Sequence, residues 1–598
     1  MVLFPSINRL ANPNTGAGLT NNRRRRLFIP PSTQYPLFIY GEGDDQRSFL
    51  SLIENGSEIF DNDDNSDAAS VSTSRSLPSS LSSAQTTEDQ ESFHSWLVEE
   101  HQRRISAANS PIASDDDDIE FALARRRSST VSSKIDFLNL KTNYIIELNT
   151  LIRHSIPLIL TFILEHIFSV VCLVVVGKLG TNELAAVSLA TMTSQITFAI
   201  FEGVATALDT LCPQFYGAGN YEIMSLFVQR CNLFAMILFL PCAIFWWFSP
   251  YVLKFIIDDS EVVQLTAQFL RVLIIGAPGY IFFEISKRFL QAQGIFEAST
   301  GILFISAPIN IFLSWFLVWN ERFGVGFIGA SIATSINFWL MSILLILYVK
   351  YIDGSKCWYG LGSVQELFSD WGIMIQLAIP GVAMLVSEYL AYEIMTLFAS
   401  YFGTVQLAAQ SAVSSIASLT YMIPFAVSIA ATTRIANFIG GQNMSGAVIA
   451  TRISLIIGLI VSISNFVILF VFKSQLARIF SDDPKVINLI ENLLHPLVAI
   501  LQIFDGMACL NSGILRAQGL QKIGGIINFT VYYIFALPLA LILSKVFEFK
   551  VFGLWLGIGS GMILIALSEG IVILFSDWDQ ILLQAGLINE SDDNDDDL

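Results

Sequence analysis

Twelve apolar segments follow one another between residues 150 and 576, and each, at about 20 residues or more, is long enough to cross a bilayer. They lie near 150–176, 187–211, 227–248, 265–289, 296–319 and 325–349, then 373–401, 408–436, 446–472, 491–512, 522–546 and 551–576. Backbone polar groups find no partner in hydrocarbon, so only helices and closed barrels span a membrane. The runs are continuous rather than alternating over about ten residues, which argues against a barrel. The expected fold class is an all-α polytopic membrane protein with twelve transmembrane helices. The chain's 53% hydrophobic and 14% charged content agrees, since soluble proteins carry about 25% charged residues.

The net charge of −18 names no partner, because much of it sits in DNDDNSD (61–67), SDDDD (114–118) and ESDDNDDDL (590–598). Residues 1–145, with stretches such as SVSTSRSLPSSLSS, cannot bury enough apolar surface to offset ordering and are expected to form a disordered tail. Residues 577–598 read as an acidic C-terminal tail. No cleavable signal peptide opens the chain. The runs Arg23–Arg26 and Arg125–Arg127 argue for a cytoplasmic N-terminus, and RRRSSTVSS (125–133) has a basic-serine phosphorylation pattern that is common by chance. Lys287, Arg288, Lys350, Lys356, Arg434, Arg452, Arg516 and Lys522 sit at the ends of even-numbered loops, a modest bias placing both termini in the cytoplasm. The six cysteines (172, 212, 231, 242, 357 and 509) form no CxxC pair and no zinc spacing, so neither a disulfide framework nor a metal site is expected.

An internal repeat organises the membrane part. Moving the chain along itself from residue 157 to residue 380 lays IPLILTFILEHIFSVVCLVVVGKLGTNELAAVS on IPGVAMLVSEYLAYEIMTLFASYFGTVQLAAQS without a gap. Pro157 meets Pro380, Gly180 meets Gly403, and YGAGN (216–220) meets IGGQN (439–443). LQAQG (290–294) meets LRAQG (515–519) in a register two residues longer. Six spans per unit is even, so both units enter the membrane the same way, as parallel repeats about an axis along the membrane normal. The lobes are expected at 146–349 and 373–576, joined by the loop 350–372. In the same register Glu165 meets Glu388, which puts a carboxylate at one depth of the first helix of each lobe.

With VVVGKLGTNELAAVSLA, ALDTLCPQFYGAGNY, KRFLQAQG, YMIPFAVSIAATTRIANFIGGQN and SGILRAQGLQKIGG in this order, the sequence resembles the multidrug and toxic compound extrusion (MATE) family, in particular its fungal branch. The resemblance covers about residues 150–576. It implies two six-helix lobes in a V and alternating access to a central cavity. It also implies a secondary antiporter exporting organic cations, drugs or toxic metabolites, driven by protons or sodium and without a cofactor. The implied partners are a small-molecule substrate and the lipid bilayer, with no nucleic acid; the protein is expected to be monomeric, in the plasma or vacuolar membrane.

A carboxylate at the bilayer centre costs at least about 2.5–3.5 kcal/mol, so it normally faces a cavity or a partner. Glu388, in the middle of span 7, is the foremost candidate for the coupling proton or cation, with Tyr389 and Tyr392 beside it to supply cation–π contacts. Glu393 matches a second glutamate of the family, but five residues turn a helix by about 500° and aim it away from Glu388; helix–helix hydrogen bonding is its alternative. Asp505 matches an acidic residue of span 10, and the resemblance makes it a second coupling site. Tyr421 stands where relatives have a cavity tyrosine, although a backbone-bonded core tyrosine reads equally well. Glu165 is either a compensating coupling group or the partner of His166 or another polar neighbour. Asp209, in LDTLC, reads as structural or gating, and Pro157, Pro380 and Pro424 are candidate kinks. Glu202, Glu284 and Glu569 lie in or near apolar spans without an orientation.

Two departures from the family pattern matter. Ser414 and Ser415 replace a Tyr-Glu pair, and Cys172 stands where many prokaryotic members have an aspartate, so proton coupling through that position is not expected. A lipid-linked flippase of the wider superfamily is the main competing reading, but its cavity would be basic. No HExxH, GxSxG or GxxxxGK[ST] string supports an enzyme or an ATP-driven pump.

Overall fold

The computed structural model describes residues 137–591 apart from 178, 255–258, 323 and 482. Expectations for residues 1–136, including the arginine runs and the phosphorylation pattern, and for residues 592–598 lie outside the described residues. Among the described residues, twelve helices are long and apolar enough to cross a membrane. They are α1 (Tyr144–Val176), α2 (Thr181–Ala218), α3 (Tyr221–Trp247), α4 (Ser260–Ala292), α5 (Glu297–Trp319) and α6 (Phe327–Tyr351), followed by α7 (Trp371–Ser400), α8 (Thr404–Gly440), α9 (Met444–Val471) and α12 (Lys550–Leu574), with α10 (Pro484–Ala517) and α11 (Gln521–Val546) between the last two. Exposed side chains such as Ile244, Phe312, Trp315, Ile460 and Ile534 give the bundle an apolar outer surface, as an integral multi-pass membrane protein requires.

Several helices outrun their hydropathic cores. The span expected at 187–211 is helical from 181 to 218, and that expected at 408–436 is helical from 404 to 440. Their polar ends read as loop because hydropathy cannot tell a group in water from one buried against another helix. Gln214 and Asn437 show this, being 4% and 5% exposed. α1 starts at Asn143, whose side chain accepts hydrogen bonds from the N–H groups of Ile145 and Ile146 and satisfies otherwise orphaned donors.

The repeat appears as reciprocal packing. α2 lies against α7 and α8, and α8 lies against α1 and α2. Where α2 and α8 cross, the backbone of Asn437 closes on Gly217 and that of Gln214 closes on Gly440. The register 157-to-380 carries 214 onto 437 and 217 onto 440, so the crossing sits on the pseudo-two-fold axis. A side chain at either glycine would meet backbone, as in other close crossings of membrane helices.

The hydrogen bonds and ion pairs joining the lobes gather at one end, called the closed end below. Arg434 of α8 pairs in two-pronged fashion with Glu147 of α1, Nε and Nη2 each 2.8 Å from a carboxylate oxygen. Thr210 of α2 donates to the Arg516 carbonyl at 2.5 Å, and Gln214 donates to the Ala517 carbonyl at 3.1 Å. Gln521 of α11 donates back to the Thr206 carbonyl and to the Thr210 hydroxyl. A shared apolar core reinforces the junction, uniting Leu151, Leu158 and Phe162 of α1 with Ala430, Ile435 and Phe438 of α8.

Both ends of the described chain help to close it. Residues 137–143, which composition placed in the tail, lie on this junction: Phe137 packs edge-on against Tyr216 of one lobe and Phe438 of the other. Residues 578–591, also read as tail, form a helix, α13 (Trp578–Ser591), that buries Trp578, Ile581 and Ala585. Their spacing is an apolar helical stripe too short to stand out against the acidic residues that follow.

Three of the eight cations used to orient the chain are buried inside it, and a fourth, Arg434, is largely covered. Lys287, Arg288 and Arg516 are 2–5% exposed, and the Arg434 side chain is 15% exposed in its pair with Glu147. Being neutralised within the protein, they carry no information about the membrane side. Lys254, Arg322 and Lys545 are exposed at the opposite end, so loop charge no longer favours either orientation.

Candidate functional site

The C-terminal lobe encloses a small cavity of about 20 Å³, room for one water molecule. Glu388 of α7, Tyr421 of α8, Asp505 and Arg516 of α10, and Asn528 and Tyr532 of α11 line it. The Tyr421 hydroxyl donates to Glu388 at 3.5 Å, a long contact that leaves the carboxylate loosely held. Asp505 is 4% exposed and accepts from the Gln502 amide at 3.0 Å. Gln502 is in turn oriented by the Thr420 hydroxyl. Tyr532 projects from an irregular π-helical segment of α11, Val531–Ala536, a local widening common at functional sites.

A third carboxylate stands behind these two. Glu569 of α12 is fully buried; it accepts from the Ser512 hydroxyl at 2.8 Å and from the Asn528 amide at 2.8 Å. Hydropathy had left Glu569 unoriented, and the structure directs it to two residues that line the cavity. Glu388, Asp505 and Glu569 thus share one lining cation, Arg516, and three carboxylates less one guanidinium leaves a charge of −2 when all are ionised.

The matching site of the N-terminal lobe is built differently. Glu165 lies 3.0 Å from the Lys287 amine, and Glu284, one turn before Lys287 on α4, contacts it from the other side at 2.5 Å. The polar neighbour of Glu165 is thus Lys287 rather than His166. Glu202 accepts from the Tyr280 hydroxyl at 2.7 Å. The register that lays LQAQG on LRAQG sets Lys287 opposite Ser512, Glu284 opposite Cys509, Tyr280 opposite Asp505 and Gln291 opposite Arg516. The same backbone positions therefore give the carboxylates of one lobe a lysine in direct contact and leave those of the other with only Arg516 nearby. The Glu284-x-x-Lys287 spacing, which puts both on one helix face, was the sequence signal for this pair.

The remaining expected residues fall around the cavity rather than in it. Tyr389 is 43% exposed, and Tyr392 packs edge-on against Trp555. Glu393 is half-buried on another face of α7, as the helical turn requires. Asp209 is buried between Arg288 at 2.8 Å, in its own lobe, and Arg516 at 3.7 Å, across the lobe boundary. Pro157 offers its carbonyl to Thr300, Pro380 packs on Gly525 and Pro424 on Gly506. Each proline marks a close helix contact, and α1, α7 and α8 remain helical through it.

The family model MatE matches residues 157–316 and again residues 380–542, one match in each half. An uncharacterized transporter of Saccharomyces cerevisiae is 51% identical over 75% of this chain, a stretch that spans 64% of that relative. One from Schizosaccharomyces pombe is 39% identical over 73% of this chain and 80% of its own length. Human multidrug and toxin extrusion protein 1 is 31% identical over 67% of this chain and 69% of its own. The crystal structure of the eukaryotic MATE transporter AtDTX14 aligns with a TM-score of 0.71 at 28% identity, covering 75% of this chain and 99% of that one. With a duplicated family match, relatives of this similarity and a shared twelve-helix fold, the chain belongs to the MATE family of multidrug and toxin extrusion transporters.

Proposed function

We propose that the protein is a secondary antiporter that exports organic cations or related toxic metabolites in exchange for protons, with Glu388 and Asp505 as the coupling groups. The observation that carries this reading is a pair of buried carboxylates with Arg516 as the one lining cation, in a cavity with room for one water. Buried charges without counterions are costly, and binding a proton or a cation relieves that cost. The cavity is too small for an organic cation, so the substrate binds where the lobes separate and exchanges with the proton by competing for the same negative field. Tyr421 holds the carboxylate, Tyr389 and Tyr392 offer aromatic faces next to it, and Glu393 and Glu165 act outside the exchange step. The N-terminus, rich in arginine, is assigned to the cytoplasm; the closed end is then cytoplasmic and this state faces outward. The plasma membrane and the vacuolar membrane both maintain a proton gradient that suits such an exchanger.

The test imposes pH and sodium gradients separately on liposomes carrying the protein, with a panel of organic cations. An imposed pH gradient is expected to drive exchange in the absence of sodium. Exchange that follows the sodium gradient alone would replace the proton with sodium as the coupling ion.

A further inference from the structure

Arg516 lines the C-terminal-lobe cavity yet belongs equally to the lobe junction. It is 3% exposed, its Nε has no hydrogen-bond partner, and its nearest opposite charge is Asp209 of the other lobe at 3.7 Å. That separation is beyond a charge-assisted hydrogen bond, which spans about 2.7–2.9 Å. Asp209 is held closely by Arg288 at 2.8 Å, so the cross-lobe pair is the looser arm of a triad. On the cavity side Arg516 lies within electrostatic reach of Glu388 and Glu569. Its backbone carbonyl receives the Thr210 hydroxyl of α2, which ties this turn of α10 to the closed end. The repeat-related residue is Gln291, so the device exists in one lobe only.

We infer that Arg516 is the positioning residue that couples loading of the cavity to closure of the lobes, by exchanging its guanidinium between the cavity carboxylates and Asp209. When Glu388 and Asp505 are ionised and empty, their negative charge draws Arg516 inward and loosens its hold on Asp209. When a proton or an organic cation neutralises the cavity, Arg516 is released to Asp209 and the closed end tightens. A loaded carrier therefore holds this end closed more firmly than an empty one. The groups that set this balance are Asp209 of α2, Arg288 of α4 acting through Asp209, Glu388 of α7, Tyr421 of α8, Asp505 and Cys509 of α10, Tyr532 of α11 and Glu569 of α12. The charged residue of α9, Arg452, contacts Tyr144 at the junction instead.

This inference rests on the proposed proton site, and its test separates the two. Spin labels at Glu222→Cys and Ser445→Cys, both exposed and repeat-related at the closed end, report the distance between the lobes in the full-length protein. Five of the six native cysteines are buried, and Cys242, half-buried in α3, is replaced by serine in the labelled protein; burial pushes the thiol of Cys357, in the inter-lobe loop, up to about 12, so it resists labelling. In the wild type the ratio of closed to open populations is expected to rise about fivefold or more from mildly alkaline to mildly acidic buffer, in the range of ordinary coupling energies. Arg516→Gln should abolish that response, Asp209→Asn should abolish it with the guanidinium still present, and Arg516→Lys should keep its direction. A full wild-type response in both Arg516→Gln and Asp209→Asn would overturn the role of Arg516 while leaving proton exchange in place. A wild type whose lobes ignore pH, and whose liposomes show no proton-driven exchange, would overturn both readings.

Discussion

Glu388→Gln reduces proton-driven exchange of an organic cation to the level of protein-free liposomes, while the protein still folds. The substitution keeps the side-chain shape and its contact with Tyr421, but it removes the group that alternates between neutral and charged. No lysine stands opposite Glu388, since Ser512 occupies the place that Lys287 takes in the other lobe, and Arg516 keeps Asp209, Asp505 and Glu569 as acidic neighbours after the change. Asp505→Asn should act in the same direction, with Gln502 and Thr420 left to hold the amide. Glu165→Gln is the informative contrast. It breaks the pair with the buried Lys287 and so should lower thermal stability before it touches coupling. Wild-type exchange rates in Glu388→Gln under an imposed pH gradient would remove Glu388 from the mechanism.

The second large effect concerns the junction. Glu147 is 1% exposed and meets Arg434 through two 2.8 Å contacts, with Phe137 and Phe438 flanking the guanidinium. Breaking a buried pair by removing one partner costs about 3–5 kcal/mol. Alternative conformations of a protein commonly differ by only a few kcal/mol, so this loss is large enough to reverse which one is populated. Glu147→Gln is therefore expected to shift the labels at positions 222 and 445 to the longer distance. Adding Arg434→Gln should return much of the closed population, because the neutral pair leaves no stranded charge. An unchanged distance in Glu147→Gln would show that the apolar core between α1 and α8 closes this end without the ion pair.

The membrane fold was legible because two strong periodicities coincide: twelve apolar runs and a repeat in which Pro157, Gly180 and Glu165 find their counterparts. The cations were misread. Lys287, Arg288 and Arg516 lie near the ends of apolar runs, where hydropathy assigns charge to a loop, whereas the helices continue past them and bury them against the other lobe or their own acids. Side-chain direction was the second limit. Tyr389 and Tyr392 neighbour Glu388 in sequence, but its hydrogen-bond partner is Tyr421, a whole helix away. Glu569 shows the same limit, since nothing in the α12 sequence tells which of its faces meets Ser512 and Asn528.

The central claim is that Glu388 and Asp505 bind the proton that the substrate displaces. Its most direct measurement is proton release from the purified protein in weakly buffered detergent when an exported organic cation is added. The account predicts a saturable release that vanishes in Glu388→Gln and Asp505→Asn. Saturable binding of the cation with no proton released from the wild type would contradict it.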